Sequence, residues 1–208
     1  MNRTLVIDSA TDACSAALFE GGECLAGEWL QLGRGHAERL VPMIGALPDT
    51  GRANRVIVAL GPGSFTGIRV GLAAAKALAM AWKADLLGYH TPALLAAQAR
   101  AQHGAVPVAV VNTGGHGEWF VEEFAADGTS LAPVRSLRPE DAASQIGADL
   151  VVGSQAEALV ALRSTGTAQA MLPDARRFAA LPESALTRDV RPAYGRAPDA
   201  KLPGGKLP

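Results

Sequence analysis

Short apolar runs, separated by polar or glycine-containing turns, divide the N-terminal half of the chain into strands and helices. Runs at residues 4–7, 14–19 and 24–30 are joined by tight turns, which is typical of an antiparallel meander. Apolar residues at helical spacing then predict a helix over residues 36–47, which Pro42 is expected to kink or shorten. The chain is therefore predicted to begin with three strands followed by one helix.

The rest of this half adds two strand–helix pairs. A strand at residues 56–60 leads through a glycine-containing turn into a predicted helix over residues 67–82. A strand at residues 86–88 precedes a further helix, with Thr91 expected as its N-cap and Pro92 at its first position. Strands that alternate with helices in this way indicate an α/β fold.

The second half of the chain repeats the pattern of the first. Residues 5–9 match residues 109–113 at an offset of 104, and the hairpin turns at 21–22 and 127–128 fall at nearly the same offset. An internal duplication accounts for this similarity, with chance resemblance of two strand-turn-strand units as the alternative. The other elements predicted in this half are strands at residues 106–111, 119–124 and 149–152 and helices at residues 155–162 and 174–181. We expect an N-terminal domain over residues 1–103, a shortened C-terminal domain over residues 104–198 and a disordered tail over residues 199–208.

The glycine-containing turn has the sequence Gly61-Pro-Gly-Ser-Phe-Thr-Gly-Ile-Arg-Val-Gly71. A glycine turn at a helix N-terminus often cradles a phosphate. The spacing here matches neither the dinucleotide pattern nor a phosphate loop, which needs a lysine where Ile68 stands. Ser64 also lacks the flanking glycines of a nucleophile elbow. The segment is therefore predicted to be a tight turn that caps a helix, with ligand binding as the alternative.

The helix predicted over residues 67–82 is apolar on almost every side. Only Arg69 and Lys76 form a polar strip, and small residues such as Gly67 and Gly71 would let another helix pack closely. Either this helix lies at the centre of the core, or one of its faces belongs to a partner. Its composition fits both interpretations.

Polar residues follow the first strand of each half. Asp8, Ser9 and Thr11 follow the first, and an acidic residue with nearby hydroxyls at such a turn is typical of the actin-like and sugar-kinase folds that hold magnesium and a phosphate. Asn112 and Gly114 occupy the corresponding turn of the second half, where an ATPase of this class usually has a second carboxylate. Because Asn112 carries no charge, metal binding would be weak. These five residues are predicted to form a vestigial nucleotide site.

Composition and charge exclude several classes of protein. A formal net charge of −1 over 208 residues gives no basis for a nucleic-acid groove or a membrane-binding surface. Cys14 and Cys24 lie in predicted strands and are expected to be buried thiols, and no Cys-x-x-Cys or His-x-x-x-His pattern supports a metal site. His36 is expected to be a surface or capping residue. No signal peptide or membrane-spanning segment is visible, so we expect a soluble, cytoplasmic protein whose isolated chain has no cofactor or metal.

Several segments, in order along most of the chain, resemble the TsaB family, also called YeaZ, which is related to the Gcp-type proteins. These segments are Ile7-Asp-Ser-Ala-Thr11, His36-Ala-Glu-Arg-Leu-Val-Pro-Met43, the glycine turn at 61–71, Gly88-Tyr-His-Thr-Pro-Ala-Leu-Leu-Ala96 and Pro192-Ala-Tyr194-Gly-Arg196. The resemblance implies a pair of actin-like (Hsp70-like) domains, each a mixed β-sheet flanked by helices. This agrees with the duplication found above.

The resemblance also implies a role in making threonylcarbamoyladenosine at position 37 of tRNAs that read codons starting with A. The TsaB member is implied to be a non-catalytic scaffold that pairs through its first two helices with the catalytic paralogue TsaD and is joined by the ATPase TsaE. Contact with tRNA is then indirect, ATP or ADP and magnesium are bound by the partners, and a homodimer forms through the same helices when TsaD is absent. The interface residues implied for this chain are His36, Glu38, Arg39, Leu40, Met43, Leu47, Arg69, Val70, Lys76 and Ala77.

The chain departs from the family in two places, and two other functions stay open. A segment that is commonly basic in the family is Asn112-Thr-Gly-Gly-His116 here, and the stretch between Leu47 and Arg55 is short, so a truncated first helix and a smaller partner surface are expected. One alternative is a small actin-like ATPase that uses Asp8 and Thr11. The other is a glycoprotease-like hydrolase, for which the sequence offers neither an activated nucleophile nor a metal pair.

Overall fold

A computed structural model describes residues 2–195, which form two β-sheets flanked by helices. The strands are β1 (Arg3–Asp8), β2 (Ala13–Glu20), β3 (Glu23–Gln31), β4 (Arg55–Ala59), β5 (Asp85–Tyr89), β6 (Val108–Thr113), β7 (Trp119–Phe124), β8 (Arg135–Leu137), β9 (Leu150–Val152), β10 (Thr167–Gln169) and β11 (Leu186–Thr187). The helices are α1 (His36–Gly45), α2 (Phe65–Trp82), α3 (Thr91–His103), α4 (Pro139–Gln145) and α5 (Ala156–Arg163), with short 3-10 helices at Pro48–Gly51, Ala175–Ala180 and Glu183–Ala185. The first sheet has the order β11-β5-β4-β1-β2-β3 and the second the order β10-β9-β6-β7-β8.

The two sheets repeat one arrangement of strands. In the first, β2 is antiparallel to β1, β3 is antiparallel to β2, and β4 and β5 run parallel to β1. Strands β6 to β10 have the same relations in the second. Thr4 of β1 pairs with Arg55, and Val108 of β6 makes the corresponding pair with Leu150. Thr4 and Val108 are 104 positions apart, which is the offset found in the sequence. The predicted duplication and the α/β class, with two mixed β-sheets flanked by helices, are confirmed.

Helices α1, α2, α3 and α5 follow the predicted order, with α1 ending at Gly45, two residues before the predicted end, whereas α4 was not predicted. Helix α2 buries one side in the core of the first sheet through Ile68, Leu72 and Ala75, none more than 4% exposed. Its opposite side is exposed, because α1 and the sheet cover only part of its circumference. In residues 2–195 no helix has the length and hydropathy that crossing a membrane requires.

Three local predictions are wrong. Cys24 is exposed, because it lies at the start of β3, an edge strand whose first three residues extend beyond the packed core; Cys14 is buried as predicted. His90, not Thr91, is the N-cap of α3, because the backbone turns helical one residue earlier and the buried Thr91 hydroxyl bonds no neighbour. The helix predicted over residues 174–181 is the 3-10 helix Ala175–Ala180.

After the second sheet the chain returns to the first. Gln98 of α3 accepts a hydrogen bond from Asp174 N at 2.9 Å and donates to Leu172 O at 3.3 Å, and Ser15 Oγ accepts from Ala175 N at 3.0 Å. Side chains of the first sheet and α3 thus hold the connecting segment in place. Ala175 and β11 belong to the domain predicted over residues 104–198, yet they pack on the first sheet. The predicted domain boundaries stay a prediction, and the predicted tail lies outside the described residues.

Candidate functional site

The glycine turn before α2 packs directly on the loop that follows β1. Ser64 N donates to Ala10 O at 2.7 Å, and Ser64 Oγ accepts from Gly67 N at 3.2 Å, which makes Ser64 the N-cap of α2. A Cβ atom on Gly63 would lie 1.9 Å from Ala10 O, and one on Gly67 would lie 2.1 Å from Ser9 O. Close approach of two backbone segments therefore accounts for the spacing of these glycines without a ligand.

A cleft of about 420 Å³ lies between the loops that follow β1 and β6. Thr11, Asn112 and Gly114 line this cleft, together with Ser64 and Phe65 at the start of α2. The structure thus brings three of the five residues of the predicted nucleotide site to one cavity. The other two, Asp8 and Ser9, do not line the cleft and are buried behind it.

The side chains of Asp8 and Ser9 act inside the protein. The Tyr89 hydroxyl donates to Asp8 Oδ2 at 2.7 Å, and Ala10 N donates to Asp8 Oδ1 at 3.0 Å. Burial raises the pKa of Asp8 to about 6, while these two hydrogen bonds oppose the rise. Ser9 Oγ donates to Gly67 O at 2.9 Å and so ties the loop to α2. Both side chains hold the first turn of α2 and the end of β5 in position.

The predicted site residues that line the cleft, Thr11, Asn112 and Gly114, offer no carboxylate to a magnesium ion; among the residues lining the cleft, only Asp12 carries one. A fully buried Asp8 cannot reach an ion in the cavity, and Asn112 is uncharged, with its Oδ1 accepting a hydrogen bond from Ser154 N at 3.0 Å. Magnesium is normally held by carboxylates and phosphate oxygens. No group of three His, Cys, Asp or Glu residues that could hold a metal occurs within residues 2–195. The vestigial nucleotide site stays a prediction.

Replacing Asp8 by Asn is expected to remove a pH dependence of stability. The pKa of Asp8 is about 6 in the folded chain and about 3.9 for an unperturbed aspartate, so the folded state binds the proton more tightly. Its contribution to the free energy of unfolding therefore falls as the pH rises from about 4 to about 6, by roughly 3 kcal/mol. Urea unfolding of both proteins from pH 4 to pH 7.5 measures this. The Asp8→Asn variant should gain stability relative to the wild type over that range, and a difference independent of pH would contradict the assignment.

Four of the predicted interface residues face the chain's own core. His36, Leu40, Met43 and Leu47 are at most 7% exposed, on the side of α1 and its following turn that packs against β2 and α2. The His36 Nε2 atom lies 2.8 Å from Thr11 O, so the expectation of a surface or capping histidine is wrong. These side chains stabilise the fold and are absent from the exposed surface of α1.

The other predicted interface residues lie on the outer side of α1 and α2. Glu38, Arg39, Arg69, Lys76 and Ala77 are exposed, and Val70 is half-buried. Between them runs a strip of apolar and small residues that the sequence analysis missed, except for Ala77. Val41 is 63% exposed and Met80 is 80% exposed. We call this strip the exposed α1–α2 face; its residues are Ala37, Val41, Gly45, Ala73, Ala77 and Met80.

The exposed α1–α2 face is flanked by cations. Arg39 lies 3.6 Å from Glu28, whereas Arg69 and Lys76 have no ion pair with a carboxylate of the described chain, residues 2–195. Apolar side chains and cations without carboxylate partners on one side of a helix pair are chemically suited to contact with another protein.

Comparisons with known proteins show which sequences this chain resembles. The family model described as tRNA N6-adenosine threonylcarbamoyltransferase, TsaD, matches residues 31–165. The tRNA threonylcarbamoyladenosine biosynthesis protein TsaB of Escherichia coli is 33% identical over 130 residues, which cover 60% of this chain and 56% of that protein. The protein of the same name from Haemophilus influenzae is 42% identical over 81 residues, 36% of this chain and 34% of that protein. The matched regions thus span about half or less of these relatives.

Solved structures extend the similarity to nearly the whole chain. A Pseudomonas aeruginosa protein described as similar to peptidase YeaZ superposes with a TM-score of 0.78 at 26% identity, covering 94% of this chain and 100% of that chain. YeaZ from the same organism superposes with a TM-score of 0.73 at 27% identity, covering 87% of this chain and 90% of that chain. With the duplicated sheets, the glycine turn and the match over residues 31–165, these findings show that the chain belongs to the TsaB/YeaZ family.

Proposed function

We propose that this chain is a non-catalytic scaffold subunit that acts in the cytoplasm in the synthesis of threonylcarbamoyladenosine on tRNA. The observation that carries the proposal is the exposed α1–α2 face, which presents Val41 and Met80 to solvent beside the cations Arg69 and Lys76. A patch of this kind is typical of a surface that another protein covers. The proposed pathway is supported by the names of two relatives, which are both called tRNA threonylcarbamoyladenosine biosynthesis protein TsaB.

The proposed partner is the paralogue TsaD, which is inferred to dock on the exposed α1–α2 face, with the ATPase TsaE joining the pair. Contact with tRNA is indirect, in line with a net charge of −1. In the absence of TsaD, two copies of this chain are inferred to pair through the same face. A catalytic role for this chain has no support in the site, because Asp8 is enclosed by Tyr89 and Ala10 and does not reach the cleft.

Copurification with TsaD, combined with rescue of the tRNA modification in a strain depleted of its own TsaB, tests this proposal. We expect the wild-type chain to form a stable complex with TsaD and to restore the modified nucleoside, measured by mass spectrometry of digested tRNA. Restoration without physical association would contradict a scaffold. Micromolar binding of ATP and magnesium by the isolated chain, lost in Asp8→Ala, would favour an ATPase instead.

A further inference from the structure

Tyr194 and Gly195, at the end of the segment of residues 192–195, line the cleft, and the proposed docking gives this segment no role. Ala193 N donates to Leu60 O at 2.8 Å, at the end of β4. Gly195 lies against both halves of the chain, since a Cβ atom there would be 2.4 Å from Phe120 of β7 and 3.0 Å from Pro62 of the glycine turn. We call residues 192–195 the C-terminal strap, because they connect the turn before α2 with the second sheet.

Tyr194 fastens this strap to the first turn of α2. Its ring stacks on Phe65, with the centroids 5.6 Å apart and the planes at 29°. Arg69 donates to the Tyr194 hydroxyl from Nη2 at 3.1 Å and from Nε at 3.3 Å, and its guanidinium carbon lies 3.6 Å from the Phe65 ring centroid. Phe65 is 55% exposed and Tyr194 is 47% exposed. A fastening made of exposed contacts can open without unfolding the core.

The fastening and the exposed α1–α2 face share one helix. Arg69 lies four residues, about one helical turn, before Ala73 and is exposed on the same side of α2. No carboxylate within residues 2–195 pairs with it; its hydrogen-bond partner is the phenol oxygen of Tyr194. A carboxylate bonds a guanidinium more strongly than a phenol does, through two parallel hydrogen bonds. An acidic side chain of a docked protein would therefore replace the Tyr194 hydroxyl as the hydrogen-bond acceptor of Arg69.

We propose that the C-terminal strap is a releasable closure of the cleft, and that a partner which places a carboxylate on Arg69 opens it. This inference rests on the docking of TsaD proposed above. Tyr194 is then a positioning residue: it holds the strap against the cleft in the free chain and leaves that position when the partner covers α2. Access to the cleft is in this way coupled to assembly.

Hydrogen–deuterium exchange of the full chain, alone and saturated with TsaD, tests the inference, with the Ala193 amide as the reporter of strap closure. In the free chain, Arg69→Gln and Tyr194→Phe are expected to speed exchange in residues 188–195 about tenfold, since each removes the hydrogen bond that fastens the strap. Lys76→Gln is the matched control, because Lys76 is exposed on the same helix without contact to Tyr194. It should leave the exchange unchanged.

In the complex, we expect uptake in residues 188–195 to rise to the level of the Arg69→Gln variant while α1 and α2 become protected. Protection of α1 and α2 with unchanged or slower exchange in the strap would overturn the release. Wild-type exchange in the free Arg69→Gln variant would overturn the fastening. If TsaD protects neither helix, the docking itself fails and release by TsaD fails with it, while the free-chain variants still decide whether Arg69 holds the strap.

Discussion

Replacing Gly67 by Ala is expected to destabilise the chain by about 3 kcal/mol, despite placing a better helix former inside a helix. Alanine is favoured over glycine by about 1 kcal/mol in a helix interior. The added Cβ atom would, however, lie 2.1 Å from the backbone carbonyl oxygen of Ser9. Relief of that overlap requires α2 to move away from the loop after β1, which would break the hydrogen bonds Ser9 Oγ to Gly67 O and Ser64 N to Ala10 O. The steric effect therefore outweighs helix propensity.

Gly45→Ala is the matched control for this prediction. Gly45 ends α1, and a Cβ atom there would meet nothing within 4 Å. Helix propensity then acts alone, and we expect a gain of up to about 0.5–1 kcal/mol. Urea unfolding of the two variants and the wild type at one pH gives both values. A Gly67→Ala variant as stable as the wild type would show that the two backbone segments are not in close contact.

The glycine turn marks the limit of what its sequence could predict. Spacing alone excluded the common phosphate loops, since Ile68 stands where a lysine is needed, and the tight-turn interpretation followed. Which backbone the turn approaches depends on tertiary packing between residues far apart in the sequence, Ala10 with Ser64 and Ser9 with Gly67. For the same reason, the burial of Asp8 and its hydrogen bond from Tyr89 could not be predicted from the sequence.

The elements themselves were more predictable where the apolar pattern was long. The strands of the N-terminal meander and helix α2 came from runs of four or more residues, whereas β8 and β10 are three residues each and carry too little periodicity. Helix α4 had a readable start, with Pro139 at its first position and acidic residues in its first turn, but this signal was overlooked. On α1, helical spacing separates core from surface: Leu40, Met43, Ile44 and Leu47 fall on one face and all four are buried, whereas Val41 lies off that face and is 63% exposed.

The double variant Ala77→Glu with Met80→Asp is expected to abolish copurification with TsaD, weakening binding at least about 100-fold, or roughly 3 kcal/mol. Both side chains are exposed in the free chain, Met80 by 80%, so the charges should leave its fold intact. Once a partner covers this face, both carboxylates lose their water, and Lys76 is the single cation within α2 that lies one helical turn from either of them. Met43→Asp cannot serve for this test, because Met43 is 3% exposed in the core and its replacement would unfold the chain.

Leu162→Asp is the control that separates docking from a general effect of new surface charge. Leu162 is 52% exposed on α5, the helix that occupies in the second half the place of α2 in the first. The Leu162→Asp variant should bind TsaD as the wild type does and restore the tRNA modification, whereas the double variant should do neither. Both variants should unfold at the same urea concentration as the wild type. Equal loss of binding in both would place the contact elsewhere. If both variants still bind TsaD, the exposed α1–α2 face has no partner and the proposed scaffold is contradicted. The reason is that no other pair of adjacent helices in residues 2–195 exposes so large an apolar side chain as Met80.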